Sequence, residues 1–434
     1  MSHMIGIRRE DKNRWERRVP LTPEHVQKLR EKHDIETILQ PSHIRIFSDQ
    51  EYLDAGAKIQ EDLSQCNVIF AIKEIPVDFF ESEKTYVFFS HTIKGQKHNM
   101  PMLKKMMDLR CTLIDYEKII DEQGRRLVFF GRYAGIAGMI DTLWAFGQRL
   151  KSRKIDTPFS EIRQTLYYGS LSEIKKQLTI IGRKIETHGL PWPITPLIIG
   201  FAGYGNVSKG AQEIIDIFPT KEIRPDEIKS TYEKPSNKKI YKVIFKERDM
   251  VKPSKPRNHF DLQDYYHHPE KYVSIMEKHL PYLTILINCI YWDNRYPRFV
   301  TKDFVKKYYT NKKTIHLQAI GDISCDINGS IEFTIKATTP DSPVYVYNPL
   351  TDTIKDGYNG DGILVMAVDN LPCELPRESS HSFSNALQPF VPALAKTKQP
   401  IDFKNYDIPP EIKKAVILYH GELTPQYQYI NKYL

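Results

Sequence analysis

The chain has 434 residues, too many for one compact core, and about 150 residues per domain predicts two or three domains. Hydrophobic residues make up 41% and charged residues 27%, which is typical of a globular protein. The formal net charge of +8 is a mild excess that suits anionic small molecules and does not by itself indicate nucleic acid. No apolar run approaches the roughly 18 residues that span a bilayer, so we expect no membrane partner.

The first third of the chain predicts an α/β layer. Thr22 is a good N-cap and Pro23 suits a first helical turn, so a helix begins there and continues to Lys32. Further on, a helix is predicted at 103–109, and four apolar runs predict buried strands at 67–72, 85–90, 111–116 and 127–130. Strands that alternate with helices indicate a parallel sheet.

The middle of the chain predicts a second α/β unit. Residues 151–195 are mostly helical and end in a proline-rich linker. Residues 229–280, rich in lysine, proline and tyrosine, are predicted to be an insertion, and the last fifty residues are expected to pack on the first domain. The second unit is predicted to hold strands at 197–202, 283–290, 314–320 and 363–368.

A glycine-rich turn joins the strand at 197–202 to an apolar helix. In the pattern Gly203-x-Gly205-x-x-Ser208, the first glycine allows a tight turn, and the second lets the backbone approach a pyrophosphate at the helix N-terminus. The predicted nucleotide-binding residues here are Gly203, Gly205, Asn206, Val207 and Ser208. The alternative is a structural turn that binds nothing.

The next predicted strand, 221–223, bears on the choice of nucleotide. It ends in Arg224, whose guanidinium would suit a 2′-phosphate, so we expect NADPH rather than NADH. In the alternative interpretation, Asp226 binds the ribose and Arg224 is a surface residue.

Titratable side chains follow three successive predicted strands of the first third. Lys73 and Glu74 follow the first, His91 the second and Glu117 the third. Ligands of α/β proteins bind at the carboxyl ends of strands, so these residues are candidates for a site. Arg18 lies just before the first helix, and its guanidinium can donate two parallel hydrogen bonds to a carboxylate.

An ordered set of motifs runs through nearly the whole chain, at residues 8–23, 88–94, 114–118, 205–212, 287–292, 322–333 and 369–372. Together these motifs resemble lysine–2-oxoglutarate reductase, the N-terminal half of the α-aminoadipic semialdehyde synthases of animals and plants. The wider superfamily includes lysine-forming saccharopine dehydrogenases and alanine dehydrogenases. No second glycine-rich strand–turn–helix unit follows, so we expect the saccharopine-cleaving half to be absent.

The resemblance implies the reductive condensation of L-lysine with 2-oxoglutarate, with NADPH as hydride donor, to give saccharopine. It implies Lys73 and His91 as the acid–base pair, and it makes Arg18 and Arg126 candidates for binding the dicarboxylate. Other residues follow from matched motifs: Glu74 and Glu117 toward the substrate amine, Asp326 (rather than Asp322) toward the cleft, and Asn288 and Asp369 toward the nucleotide.

We therefore expect two Rossmann-like α/β domains with parallel sheets on either side of an interdomain cleft. Residues 5–160, completed by 370–434, would bind the substrates, and residues 190–369 the dinucleotide. We expect a monomer or a homodimer without a metal. The five cysteines, with no CxxC pair, indicate reduced thiols in an intracellular protein, cytoplasmic unless a mitochondrial leader has been removed.

Two other functions stay open. A dehydrogenase of the alanine type would use alanine and pyruvate in place of lysine and 2-oxoglutarate. A non-catalytic binding protein would retain the fold, and the basic stretch 252–257 would then contact nucleic acid. Because prolines interrupt that stretch and no nucleic-acid motif accompanies it, we expect a solvated loop and no nucleic-acid partner.

Overall fold

The computed structural model describes residues 3–255, 259–311 and 316–434. The chain forms two compact units: unit 1 consists of residues 1–130 and 376–434, and unit 2 of residues 131–375. The boundary predicted at 160 therefore lies inside unit 2. No helix among the described residues is both long and apolar enough to cross a membrane.

The regular elements follow in chain order. Unit 1 begins with β1 (His3–Ile7), α1 (Pro23–His33), β2 (Ile35–Leu39), α2 (Asp49–Asp54), β3 (Lys58–Ile59), β4 (Val68–Phe70), β5 (Thr85–Phe88), α3 (Met100–Asp108) and β6 (Thr112–Asp115). The first half of unit 2 contains α4 (Gly131–Ser152), α5 (Leu171–His188), β7 (Leu197–Ala202), α6 (Asn206–Ile215), β8 (Thr220–Glu222), α7 (Ile228–Glu233), β9 (Ile240–Phe245), α8 (Glu247–Met250) and β10 (Val251–Pro253).

The second half of unit 2 contains α9 (Leu262–His267), β11 (Tyr272–Ser274), β12 (Ile285–Asn288), α10 (Lys302–Thr310), β13 (Ala319–Asp322), β14 (Val344–Asn348), β15 (Thr353–Asp356) and β16 (Ile363–Met366). The chain then returns to unit 1 with α11 (Pro376–Leu387), α12 (Val391–Lys396), α13 (Pro410–Lys414), β17 (Val416–Tyr419) and β18 (Glu422–Leu423).

The described part of unit 1 holds an eight-stranded sheet in the order β18-β17-β6-β5-β4-β1-β2-β3. The strands from β6 to β3 are parallel, and β17 and β18 extend the sheet antiparallel. The predictions of strands at 67–72, 85–90 and 111–116 are confirmed as β4, β5 and β6. The strand predicted at 127–130 is wrong: this apolar run forms no strand, and its Val128 and Phe130 are buried as core side chains.

The described part of unit 2 also holds an eight-stranded sheet, in the order β15-β14-β16-β13-β12-β7-β9-β8. Six neighbouring strands are parallel, and β14 and β15 form an antiparallel edge. The prediction of two α/β domains with mainly parallel sheets is confirmed.

The region 229–280, predicted to be an insertion, contributes a central strand. Strand β9 pairs with β7 on one side and with β8 on the other, and the more peripheral part is the small β10–β11 pair with α9. The strand predicted at 314–320 corresponds to β13. Thr314 and Ile315 lie outside the described residues, as do Pro256 and Arg257 of the basic stretch.

Helix α4 packs directly on α6, the helix that follows the glycine-rich turn. A Cβ atom on Gly135 would lie 1.9 Å from the backbone oxygen of Val207, and one on Gly210 would lie 2.0 Å from that of Arg132. Because only glycine fits at these two positions, the backbones of the two helices touch. This contact fixes where α6, and therefore the turn before it, lies in unit 2.

Two buried carboxyl groups of unit 2 lie against each other. Asp141 of α4 accepts hydrogen bonds from the backbone N (2.8 Å) and Oγ1 (3.0 Å) of Thr165. Burial raises the pKa of Glu374 well above its ordinary value, and the negative charge of Asp141 raises it further. Burial likewise raises the pKa of Asp141. The pair is therefore stable when it shares a proton.

This pair predicts a loss of stability at high pH. Folding raises the pKa of Glu374 above its ordinary value of 4.5. The free energy of unfolding therefore falls as the pH rises from 4.5 to the pKa that Glu374 has in the folded protein. We expect Glu374→Gln to be more stable than the parent at pH 9 by about 1–3 kcal/mol, the usual cost of an uncompensated buried polar group. Urea unfolding between pH 5 and 9 measures this difference.

Glu186→Gln, at an exposed position on α5, is the matched control and should leave the pH dependence unchanged. If the free energy of unfolding depends on pH equally in the parent and in Glu374→Gln, the inference that Asp141 and Glu374 share a proton is wrong.

Candidate active site

The predicted site residues of unit 1 follow neighbouring strands. Strands β4 and β5 pair in parallel, as do β5 and β6, so their carboxyl ends meet at one edge of the sheet. Lys73 and Glu74 follow β4, His91 follows β5 and Glu117 follows β6. The structure therefore brings these predicted residues to the same edge.

A carboxylate orients His91. The Nδ1 atom of His91 lies 2.7 Å from Oε1 of Glu74, and Nζ of Lys12 donates to Oε2 at 2.7 Å. Burial opposes ionisation of Glu74, but the hydrogen bonds and charges of His91 and Lys12 hold its pKa well below the ordinary range. An ionised Glu74 accepts the Nδ1–H of His91, which leaves Nε2 as the nitrogen that can exchange a proton with a ligand.

Lys73 lies where its ammonium is disfavoured. Burial lowers its pKa, and the positive charge of Arg18 lowers it further, while the carboxylate of Glu16 acts in the opposite direction. No ion pair joins the Lys73 ammonium to another described residue. A lysine with a lowered pKa can accept a proton from a bound amine.

Glu10, which the sequence analysis did not select, supports the backbone of Lys73. Its carboxylate accepts hydrogen bonds from the backbone N of Ile72 (2.6 Å) and of Lys73 (3.0 Å). Burial and the nearby Glu16 raise the pKa of Glu10 to about 7, against the effect of those two bonds. Glu10 comes three residues after the end of β1, which pairs with β4, so the strand-end rule would have found it had β1 been recognised.

Arg18 is buried and held by Glu16. Its Nε and Nη2 donate to the two carboxylate oxygens of Glu16 at 2.7 and 2.5 Å, and its guanidinium lies 4.2 Å from the centre of the Phe130 ring. Arg126 is 51% exposed, and its Nη2 lies 3.3 Å from Oε1 of Glu117. Both predicted carboxylate-binding arginines are therefore already paired with a glutamate.

Aromatic rings form an apolar wall beside these charges. Phe130 stacks on Phe383 of α11 with ring centres 4.4 Å apart, and Tyr116 meets Phe383 edge-on at 4.9 Å. Phe89 packs against Tyr116 at 5.1 Å. Apolar walls strengthen electrostatic interactions because they exclude water. Phe383 is about 300 residues from the strand-end residues in sequence, and no sequence pattern pointed to it.

In unit 2, the glycine-rich turn has the shape that a dinucleotide needs. Gly203 has φ +93°, a left-handed conformation that favours glycine, and a Cβ atom on Gly205 would point into open space. Gly205 precedes α6, so the N–H groups of Asn206 and Val207 lie at a helix N-terminus where a pyrophosphate binds. Ser208 is buried, and its hydroxyl oxygen accepts a hydrogen bond from Nε2 of Gln212 at 2.9 Å. These residues fit a dinucleotide.

The other predicted site residues of unit 2 have different surroundings. Asn288 donates from Nδ2 to Oδ1 of Asp322 and to Oγ of Ser330, both at 2.8 Å, while its buried Oδ1 has no partner among the described residues. Asp322 therefore links β12 to β13, and burial raises its pKa. Asp326 is half-buried on the loop after β13, and Asp369 is exposed after β16.

Arg224 does not lie next to the turn. The strand beside β7 is β9, and Arg224 follows the outer strand β8. Its side chain is 70% exposed and pairs with Asp226 at 3.0 Å. The prediction of NADPH assumed that the strand before Arg224 pairs with β7. This assumption is wrong, because β9 lies between β7 and β8.

Comparisons with known proteins agree with this architecture. The models of the alanine dehydrogenase/PNT N-terminal and C-terminal domains match residues 6–137 and 267–426. The structure is similar to an L-alanine dehydrogenase, with a TM-score of 0.62 at 16% identity over 99% of both chains. It is also similar to a transhydrogenase from Sinorhizobium meliloti, with a TM-score of 0.55 at 13% identity over 98% of this chain and 100% of that one.

Curated relatives extend the similarity to lysine metabolism. The α-aminoadipic semialdehyde synthase of Arabidopsis thaliana is 41% identical over 98% of this chain and 41% of its own length. The mitochondrial enzyme of Rattus norvegicus is 37% identical over 99% of this chain and 48% of its own length. This chain thus spans less than half the length of these relatives.

The NAD(+)-dependent, L-lysine-forming saccharopine dehydrogenase of Yarrowia lipolytica is 29% identical over 86% of this chain and 88% of its own length. Dehydrogenases are oxidoreductases, and the name of the Yarrowia lipolytica enzyme states that it uses NAD(+). The two domain models cover more than half of the residues, and the chain belongs to the alanine dehydrogenase/PNT family.

Proposed function

We propose that the chain is a lysine–2-oxoglutarate reductase, which condenses L-lysine with 2-oxoglutarate and reduces the imine to saccharopine. The observation that carries the proposal is the placement of Lys73 and His91 after two adjacent parallel strands, with Glu74 bonded to His91. The similarity to α-aminoadipic semialdehyde synthases over almost the whole chain supports it. Unit 1 would bind the two substrates and unit 2 the dinucleotide.

The condensation requires a proton acceptor and a proton donor. Lys73, with its lowered pKa, takes a proton from the substrate ε-ammonium, whose free amine then attacks the ketone carbon of 2-oxoglutarate. His91 donates a proton from Nε2 to the hydroxyl of the carbinolamine, which leaves as water, while Nδ1 stays bonded to Glu74. The bound nicotinamide nucleotide supplies the hydride that reduces the imine carbon.

Charged side chains bind the substrates in this proposal. Arg18 and Arg126 hold carboxylates, and Glu74 and Glu117 attract the substrate amine. Glu16 keeps Arg18 in place, and its negative charge opposes the effect of Arg18 on Lys73. In unit 2, Asn288 and Asp369 stay predicted contacts of the nucleotide, and Asp326 stays a predicted contact of the substrates.

The choice between NADPH and NADH is a finer part of the proposal. The prediction of NADPH rested on Arg224, and the position of Arg224 beyond β9 does not support it. Both nucleotides are therefore included in the assay. The monomeric or dimeric state, the cytoplasmic location and the lack of a nucleic-acid partner stay predictions.

The test of function is oxidation of the reduced nucleotide, followed by absorbance, with lysine and 2-oxoglutarate omitted in turn. We expect turnover only when both are present, and saccharopine as the product by mass spectrometry. Turnover with alanine or pyruvate in their place would instead indicate a dehydrogenase of the alanine type. No turnover in any combination by the folded protein would favour the non-catalytic alternative.

Substitution of the acid–base pair tests the mechanism. We expect Lys73→Met and His91→Gln each to lower kcat by about 10²–10⁴-fold, the usual contribution of a positioned acid or base. Steady-state kinetics measures the loss, and Lys104→Met, at an exposed position on α3, is the matched control. Unchanged kcat in either site variant would contradict the assigned role.

Glu10 predicts a pH effect on the same reaction. Below its pKa of about 7 the carboxyl gains a proton and is a poorer acceptor for the amides of Ile72 and Lys73, so we expect kcat/KM to fall as pH drops through 7. Glu10→Gln should lower kcat/KM about tenfold at pH 8, since one charged acceptor pair is lost, and should flatten this limb of the profile.

Glu24→Gln, at an exposed position on α1, serves as the control for Glu10→Gln. A Glu10→Gln profile that keeps the parent's acid limb would show that another group titrates there.

A further inference from the structure

The turn after strand β5 holds His91 in an unusual backbone conformation. We name residues 91–95 the His91 turn. His91 has φ +49°, in the left-handed region that a residue with a Cβ atom adopts only when surrounding contacts hold it there. The backbone conformation sets the direction of the side chain. The position of the imidazole beside Glu74 therefore depends on the contacts that hold this turn.

Asn99, just before α3, holds the first carbonyl group of the turn. Its side chain is buried, and its Nδ2 donates to the backbone oxygen of His91 at 3.2 Å. A rotation of this peptide group would break the bond, so the bond favours the left-handed conformation. On the other side of His91, the backbone N of Ser90 donates to Oδ2 of Asp115 at 3.0 Å. The backbone is therefore held both before and after His91.

The 3₁₀ segment Pro425–Tyr433 holds the far end of the His91 turn. The hydroxyl of Tyr429 donates to the backbone oxygen of Ile93 at 2.8 Å. A Cβ atom on Gly95 would lie 2.4 Å from the ring of Tyr433, so this ring lies directly against the turn. Burial and the neighbouring Tyr433 raise the pKa of Tyr429, so its hydroxyl stays a donor at neutral pH.

This 3₁₀ segment is itself attached to the body of unit 1. Tyr427 and Ile430 are buried, and their spacing of three residues places them on one face of a 3₁₀ helix. The hydroxyl of Tyr427 donates to the backbone oxygen of Lys414, just before β17, at 2.7 Å. Tyr429 therefore reaches the His91 turn from a fixed support.

We propose that Asn99 and Tyr429 are positioning residues that hold the carbonyl groups of the His91 turn and so keep the imidazole beside Glu74. The proposal rests on the proposed function in that His91 is the proton donor there. Both residues act through His91 and not on the substrates. Loss of either bond lets the turn relax away from the left-handed conformation, so Nε2 points elsewhere although the imidazole is still present.

The test is the effect of two substitutions on kcat, each made in the parent and in His91→Gln. Asn99→Ala and Tyr429→Phe each remove one hydrogen-bond donor, so we expect each to lower kcat of the parent by about three- to tenfold. In His91→Gln the same substitutions should change kcat by less than about twofold, because the residue that they position is gone. A merely structural role would lower kcat by the same factor in both backgrounds.

Hydrogen exchange tests the same contacts without substrates. The backbone N of Gly95 donates to the backbone oxygen of Thr92 at 2.9 Å, so exchange of this amide reports the opening of the turn. We expect Asn99→Ala and Tyr429→Phe to speed this exchange by about three- to tenfold and to leave the amides of α1 unchanged. Mass spectrometry of the full chain after deuterium labelling measures both.

Asn405→Ala and Tyr167→Phe, both at exposed positions, are the matched controls and should change neither kcat nor exchange. Equal losses of kcat in the two backgrounds, or unchanged exchange at Gly95 in both variants, would overturn the proposal. Failure of the proposed function is a different result: the parent would not turn over lysine and 2-oxoglutarate, and the exchange rates alone would then decide whether Asn99 and Tyr429 hold the turn.

Discussion

The burial of charge at the carboxyl edge of the unit 1 sheet is the constraint on which the candidate active site depends. Moving an ion out of water costs several kcal/mol unless a partner compensates it. Arg18 has Glu16, Glu74 has His91 and Lys12, and Glu10 has two backbone amides. Lys73 is the exception, because its ammonium has no ion-pair partner among the described residues and its pKa falls instead.

In our proposal, this exception lets Lys73 act as a base. A lysine paired with a carboxylate would stay protonated at neutral pH and could not act as a base. The two carboxylates whose charge acts on Lys73, those of Glu16 and Glu74, are each bonded to another cation, so they compensate other charges first. The bonds that Glu16 and Glu74 make to other groups therefore leave the Lys73 ammonium without an ion-pair partner among the described residues, which favours the neutral amine. The bond from Glu74 also holds His91 in a single orientation.

Unit 2 depends on close backbone contact rather than on charge. The glycines at 135 and 210 let α4 and α6 touch, and those at 203 and 205 leave room beside the N-terminus of α6. These contacts fix a phosphate-binding turn whose shape does not distinguish one dinucleotide from another. The distinction falls to the side chains at the end of the neighbouring strand, and the order of strands decides which side chains those are.

The sequence was sufficient for the features that depend on local pattern. Buried apolar runs predicted β4, β5, β6 and β7, and the parallel arrangement placed Lys73, His91 and Glu117 at one edge before the structure was known. Features that depend on tertiary packing were missed. Phe383 reaches the site from α11, and Glu10 follows β1, a strand that the sequence analysis did not predict.

The order β7-β9-β8 explains the main error about the nucleotide. Consecutive strands usually pair, so the strand after α6 was expected to lie beside β7. Strand β9 lies there instead, because all its side chains but one are buried, whereas β8 is short and largely exposed, as suits an edge. A six-residue apolar strand gains more from a central position than a three-residue polar one.

In our proposal, the chemistry and the binding of the dinucleotide depend on separate places in the chain. Lys73 and His91 follow neighbouring strands of unit 1, where Glu74 holds His91 in one orientation. The turn that would hold the dinucleotide lies in unit 2, where the contact between α4 and α6 fixes its position. The first set of residues therefore depends on how buried charges are compensated, and the second on how closely two backbones approach each other.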